Sequence, residues 1–350
     1  MTKQKLVVVG PGLMGMKHIE LILENPRCDL AGVVTPEREI PNGVGERFSI
    51  PMFSDLQACL SSVAPSGVII SSPNEFHYEQ ARLCVENDIP ALIEKPITDS
   101  YEDAKRLSDL VSRRSAKVIV GHHRAHSPLM AAAKAVIESG KLGRVVTIQG
   151  SALLFKPPAY FEAGPWRREL GGGPILINLI HEIGILRTLC GEISAIQAIA
   201  SSKMRQFPVE DTVAISMAFE NGALGTFVLS DTAASPRSWE QTSRENPVYP
   251  TYPDEDCYNI SGTRGSLAFP TMRLKFHPAP EAPSWHTPFT EEVVPVVRAD
   301  PLQRQLDNFL DVILGLAPPV VTAFDGMQNV KVAEAIRRSA ETKALVELEA

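Results

Sequence analysis

The chain has 350 residues, 44% hydrophobic and 21% charged, which is ordinary for a globular protein large enough for two domains. Its formal net charge of −7 argues against a nucleic-acid partner, whose phosphates require a basic face. No apolar run is long enough to span a bilayer, and the chain opens into a strand rather than a signal peptide's charged-then-apolar pattern. Five scattered cysteines (Cys28, Cys59, Cys84, Cys190 and Cys257) form no CxxC pair, as expected of buried thiols in a reducing, cytoplasmic compartment.

The first third alternates strands and helices. Apolar, β-branched runs predict strands at Lys5–Val9, Leu30–Val34, Gly67–Ser71, Ala91–Ile93 and Lys117–Val120. Helical spacing predicts helices at Met14–Glu24, Asp55–Val63, Glu75–Asn87 and Tyr101–Arg113. This rhythm predicts a parallel, doubly wound α/β Rossmann domain over residues 1–122. The stretch from Glu39 to Gly45 holds too much proline and glycine for a helix, so a loop is expected there.

Residues 123–350 read as an α+β domain for substrate and oligomer contacts, with an open-faced, mostly antiparallel sheet. A helix (Leu129–Ser139) leads to a strand (Val145–Leu154) and a proline- and aromatic-rich loop from Lys156 to Gly173. Pro174, favoured at a first helical position, opens a helix ending near Cys190. Strands follow at Ala195–Ser201, Thr212–Phe219, Gly222–Ser230, Cys257–Ser261 and Ser266–Phe269. Thr232–Asp256, with four prolines, is expected to hold little regular structure. Helices at Leu302–Leu314 and Gly326–Thr342 close the chain, the last able to pack back on the first domain.

Gly10-Pro11-Gly12-Leu13-Met14-Gly15 follows the first strand and opens a helix, the context that gives a GxGxxG run its meaning. Gly10 permits the tight turn, Gly12 admits a phosphate to the backbone amides, and Gly15 allows helix and strand to pack closely. Leu13 and Met14 are the adjoining cofactor contacts. Glu94-Lys95-Pro96 closes a later strand of the same sheet, where substrate meets cofactor. Lys95 there can hydrogen-bond a substrate oxygen and help move a proton, with burial beside a nicotinamide depressing its pKa. Ser71-Ser72-Pro73-Asn74 and His77 follow the third strand, placed to touch cofactor, although N-capping by Asn74 is the simpler role.

Asn178 and His181 lie three apart on one face of an otherwise apolar helix behind Gly171-Gly172-Gly173, whose start offers an oxyanion-type environment. The alternative is a core histidine satisfied by backbone. His181-Glu182 does not continue into HExxH, because Ile185 stands at the second histidine position, so a zinc-protease reading fails. His122-His123-Arg124-Ala-His126 before Pro128 reads as extended, without a carboxylate to complete a metal site, and no metal is expected. Trp166 and Arg167 belong to an aromatic–basic loop that serves either a ligand or an oligomer contact.

Taken in order, GxGxxG, the SPNxxH turn, EKP, the GHH-R segment and GGG before a histidine-bearing helix resemble the Gfo/Idh/MocA oxidoreductases over essentially the whole chain. The resemblance implies NAD(P)-dependent hydride transfer on sugar-, cyclitol- or cyclic diol/ketone-like substrates, with no membrane and a homodimer or homotetramer through the open sheet. It carries the EKP lysine onto Lys95 and the helix histidine onto His181 as catalytic residues, with Asn178 beside them. Glu94 joins the cofactor site, Arg124 contacts cofactor and substrate, and Trp166 and Arg167 close the substrate edge. Two positions depart from the family. Ile177 stands where an aspartate precedes the histidine by four, and Gly184 stands at the acidic position three after it. Those departures leave room for carbonyl reduction as the working direction, and for a non-catalytic dinucleotide sensor as the rival function. After the second strand, Thr35 supplies no carboxylate and Arg38 can pair with a 2′-phosphate, favouring NADP. Glu37 holding the ribose would instead favour NAD.

Overall fold

The structure, a computed structural model, describes residues 2–36, 50–169 and 171–349. They form two units, Met1–His126 with Leu302–Lys331 and Ser127–Pro301 with Val332–Ala350.

The first unit runs β1 (Gln4–Val9), α1 (Leu13–Glu24), β2 (Cys28–Val34), β3 (Met52–Phe53), α2 (Leu56–Val63), β4 (Gly67–Ile70), α3 (His77–Glu86), β5 (Ala91–Glu94), α4 (Tyr101–Arg114) and β6 (Val118–Gly121). All six strands are parallel, in the order β3-β2-β1-β4-β5-β6. Strands buried on both faces need continuous apolar runs, and β4, β5 and β6 are buried at every residue. The strand order reverses between β1 and β4, so the turns after them flank the crevice where such sheets bind ligands. Side chains cap two of the helices: Asp55 accepts from the Ala58 amide at α2 (2.8 Å) and Ser100 from Asp103 at α4 (3.3 Å).

The second unit begins with α5 (Pro128–Glu138), β7 (Val145–Leu153), α6 (Pro158–Glu162), a 3₁₀ turn (Pro165–Arg168), a π-helical turn (Ile175–Leu179) and α7 (Ile180–Cys190). It continues with β8 (Ile193–Ser201), β9 (Thr212–Phe219), β10 (Leu224–Ser230), α8 (Trp239–Thr242), β11 (Tyr258–Gly262), β12 (Gly265–Phe269), β13 (Arg273–Phe276) and β14 (Thr290–Val293). Next in the chain, α9 (Pro301–Leu314) and the first part of α10 (Ala323–Thr342) belong to the first unit, and β15 (Val346–Glu347) to the second. The nine strands pair in the order β14-β13-β12-β11-β7-β10-β9-β8-β15, antiparallel except for β7 beside β10. Alternation is clear in β9, where Val213, Ile215, Met217 and Phe219 are buried while Ala214 and Ser216 are exposed.

Although late in the chain, α9 contributes Leu306, Phe309 and Leu310 to the core of the first unit, beside Leu6, Ile69 and Ile119. A side chain at Gly67 would collide with Phe309 and Ile313, at 2.9 and 2.8 Å. Several expectations are corrected. The Lys156–Gly173 loop contains α6 and the 3₁₀ turn, and the segment His123–His126 is 3₁₀ rather than extended. As expected, the stretch between Thr232 and Asp256 has little regular structure, only the four-residue α8. β3, β13, β14 and β15 are additional strands. The Glu39–Gly45 loop lies outside the described residues. No helix among the described residues is long and apolar enough to cross a membrane.

Candidate active site

The three glycines after β1 have different physical reasons. Gly10 has φ +80°, and a Cβ there would lie 2.6 Å from Ser72 backbone. At Gly15 a Cβ would lie 2.0 Å from the Gly10 carbonyl oxygen. Gly12 has φ −73°, which any residue adopts, and a Cβ there would have no atom within 4 Å. Gly12 is also the N-cap of α1 and no side chain caps that helix, so its first amides, from Leu13 and Met14 onward, lack the partner that α2 and α4 have. An open, uncapped helix start carrying a partial positive charge fits a dinucleotide's pyrophosphate.

Neighbouring turns brace this opening. The Ser71 hydroxyl donates to the carbonyls of Val9 and Gly10, 3.0 Å each, and Ser72 donates to Gln80 at 2.6 Å. His77 is buried, with Nδ1 2.9 Å from the Pro96 carbonyl and Nε2 2.9 Å from that of Ser72, tying the β4 turn to the residue after Lys95. Burial pushes its pKa down, against the pull of those carbonyls. The N-capping expected of Asn74 does not occur: a 3₁₀ turn (Asn74–Phe76) intervenes, its N-cap is Pro73, and α3 starts at His77 with no side-chain cap. Thr35 is buried after β2, its amide donating to the Phe53 carbonyl at 2.9 Å. Arg38 and Glu37 lie outside the described residues.

Lys95 is half-buried at the end of β5. Glu94 beside it is 4% exposed; its Oε1 lies 2.8 Å from His18 Nε2, and Oε2 accepts from the Lys95 amide at 3.2 Å. His18, itself 1% exposed on α1, ties that helix to the strand end that precedes the lysine. Burial and then the charges of Arg124, Lys95, His122 and Lys17 hold His123 well below its ordinary pKa.

In the second unit the predicted single helix is split. Ile175–Leu179 is a π turn and α7 starts at Ile180. Such turns take an extra residue and are common at functional sites. Asn178 lies in the π turn and His181 in the first turn of α7, 7% exposed. The oxyanion-type start expected behind Gly171–Gly173 is already filled. Glu210 Oε1 accepts from the Ile175 amide at 2.9 Å, and a Cβ on Gly173 would lie 2.3 Å from that oxygen. Burial raises the Glu210 pKa while the Ile175 amide lowers it.

Lys156, buried two residues beyond the Leu154 that ends the predicted strand, donates to Asn178 Oδ1 at 2.6 Å and lies over the Tyr160 ring. Arg205 pairs with Asp231 (2.6 Å) and donates to the Lys156 carbonyl (2.8 Å). Burial raises the Asp231 pKa, against its bond to Arg205 and the charge of Lys156. The Tyr258 hydroxyl donates to Glu182. A small recess, with room for about one water, is lined by Lys156, Asn178, Glu182, Ser230, Asp231 and Glu240 among others. Trp166 and Arg167 do not line this recess. The Arg167 guanidinium stacks on Tyr160 at 4.0 Å and donates to the Tyr160 carbonyl, while Trp166 is exposed. Lys156, Asp231, Glu240, Glu210 and His18 escaped the sequence reading; only Lys156, a lysine in an apolar run before two prolines, carried a local signal.

Residues 4–122 match the oxidoreductase family Gfo/Idh/MocA in its NAD-binding Rossmann fold, and residues 134–348 match that family's C-terminal alpha/beta domain. The chain belongs to this family and is an NAD-binding oxidoreductase. It is 25% identical over 361 residues to the scyllo-inositol 2-dehydrogenase (NAD(+)) of Bacillus subtilis, covering 99% of this chain and 96% of that one. With the 1,5-anhydro-D-fructose reductase of Ensifer adhaerens it shares 25% over 313 residues, covering 88% and 86%. The WlbA dehydrogenase from Bordetella pertussis, solved with NADH and UDP-GlcNAcA, superposes with TM-score 0.78 at 20% identity over 100% of both chains.

Proposed function

We propose that this oxidoreductase transfers hydride between a nicotinamide cofactor and a hydroxylated ring, a sugar, cyclitol or cyclic diol and its ketone. The observation that carries this reading is the uncapped start of α1 at Gly12, after β1 of the same sheet whose β5 ends at Glu94, just before Lys95. Gly10, Gly12, Leu13, Met14, Gly15 and the Ser71–Asn74 turn with His77 hold the dinucleotide, the amides at the start of α1 taking its pyrophosphate. The nicotinamide gives or takes the hydride. Lys95 Nζ hydrogen-bonds the reacting oxygen and passes or accepts its proton, with Glu94 and Arg124 fixing the corner around it. His181 assists that proton transfer and Asn178 binds substrate. The names of the scyllo-inositol dehydrogenase and the anhydrofructose reductase support the substrate class.

NADP is the favoured cofactor, because Thr35 brings no carboxylate against a 2′-phosphate and Arg38 offers a cation. The open face of the nine-stranded sheet serves a homodimer or homotetramer. Lys95→Ala and His181→Ala test the mechanism. Each is expected to lower turnover by ~10²-fold or more, the usual scale for a positioned proton-transfer group, with cofactor affinity nearly unchanged. A His181→Ala that raises KM and spares kcat assigns proton transfer to Lys95 alone. Full activity in both variants refutes the mechanism.

A further inference from the structure

A side-chain amide has two faces, and what lies against one decides what the other offers. Lys156 carries only donors, so its 2.6 Å contact must be made with the amide oxygen of Asn178. The two Nδ2 hydrogens remain. Among the described residues they have no hydrogen-bond partner, although Asn178 is half-buried and lines the recess. The residue therefore presents a donor. An aspartate near this position would present an acceptor and bind a hydroxyl hydrogen instead.

The rest of the recess has the opposite character. Glu182, Asp231 and Glu240 are among its lining residues, while Lys156 and Arg205 are the cations grouped with them. Three carboxyls against two cations leave no excess positive charge for a ligand carboxylate. A neutral carbonyl oxygen is the acceptor that suits Asn178 without that penalty.

Resting on the reading above, in which the Asn178–His181 face serves substrate, we propose that Lys156 fixes Asn178 as a donor to a carbonyl oxygen. With that oxygen at the recess and the ring outside its mouth, the site then prefers the ketone of a hydroxylated ring to the corresponding alcohol. Lys156 is a positioning residue, acting through the amide it orients. The same arrangement gives Ile177 a simple meaning: the polar contact moves one residue along, into the π turn, and changes from acceptor to donor.

Calorimetric titration tests this with five probes: scyllo-inositol and its 2-ketone, 1,5-anhydro-D-glucitol and 1,5-anhydro-D-fructose, and glucuronate. Ketones are titrated with oxidised cofactor bound, and alcohols with reduced cofactor, so that neither complex turns over. The ketone of at least one pair is expected to bind about tenfold tighter than its alcohol, the scale of one neutral hydrogen bond. Asn178→Asp, which keeps an oxygen for Lys156 but loses the donor, should abolish or invert that ratio. Lys156→Arg should keep the ratio, and Lys156→Met should reduce it with the melting temperature followed as a control. An alcohol preference in the parent, or a ketone preference untouched by Asn178→Asp, overturns the inference alone. Glucuronate binding above either ketone makes a carboxylate the preferred acceptor and also overturns it. Failure of all five probes to bind overturns the substrate class itself, and the inference with it.

Discussion

Two helices of this protein start behind a glycine run, and they use it in opposite ways. At α1 no side chain caps the first turn, and space surrounds Gly12. At the π turn before α7, the Glu210 carboxylate occupies the space beside Gly173 and takes the Ile175 amide. Both sequences bring bare backbone to a helix start, where the partial positive charge draws an anion. In the second unit the chain supplies that anion itself. In the first it leaves the place for a ligand. A glycine run therefore marks where backbone comes close to something, and the neighbouring carboxylates decide what.

The sharpest way to separate the two starts is to fill them. Gly15→Val puts a side chain against the Gly10 carbonyl, where even a Cβ lies at 2.0 Å, and should destabilise the first unit by about 3 kcal/mol or more. A thermal melt within a degree of the parent would contradict that packing. Next in size, Arg38→Ala should weaken NADPH selectively, by roughly 1–3 kcal/mol for a charge-assisted contact. Equal losses for NADPH and NADH, or a parent that prefers NADH, would pass control of the choice to Glu37.

Glu210→Ala reopens the second helix start and should cost about 1–2 kcal/mol, the scale of a lost helix cap, without affecting cofactor affinity. Glu210 also has a pH signature. Its folded pKa is raised above the ordinary carboxyl value, burial being the main cause. The folded state then holds a proton the unfolded state has released, so this group's contribution to stability falls as pH rises from the ordinary value through the folded one. Urea melts across that window should show a slope that Glu210→Gln removes. An unchanged slope would mean that another group titrates there.

The strand–helix alternation of the first unit was legible because buried parallel strands demand short β-branched runs such as Leu6–Val9, bounded by turn residues such as Gly10 and Pro11. Harder to read was α9. Leu306, Phe309, Leu310 and Ile313 announce one apolar face, but helical spacing does not say which sheet receives it. The polar partners at the recess were less legible still. Lys156 meets Asn178 across 22 residues, and Glu210 reaches Ile175 across 35. Such contacts are made by the folded sheet, not by local spacing. The π turn escaped because its residues, Ile175 to Leu179, suit an ordinary helix equally well. Asn74 shows the converse, a good capping residue by type that the 3₁₀ turn leaves uncapping.

The central claim is that the start of α1 is shaped for a dinucleotide rather than by the needs of folding. Fluorescence titration of NADH and NADPH against the parent and Gly12→Val, with a thermal melt of each, tests it most directly. Because a Cβ at Gly12 meets no atom of the protein and the backbone there is unstrained, the variant should melt with the parent. Its added side chain should nevertheless occupy the space the pyrophosphate needs, and binding of both cofactors should be lost. Equal affinity in parent and variant, at equal stability, would contradict the account.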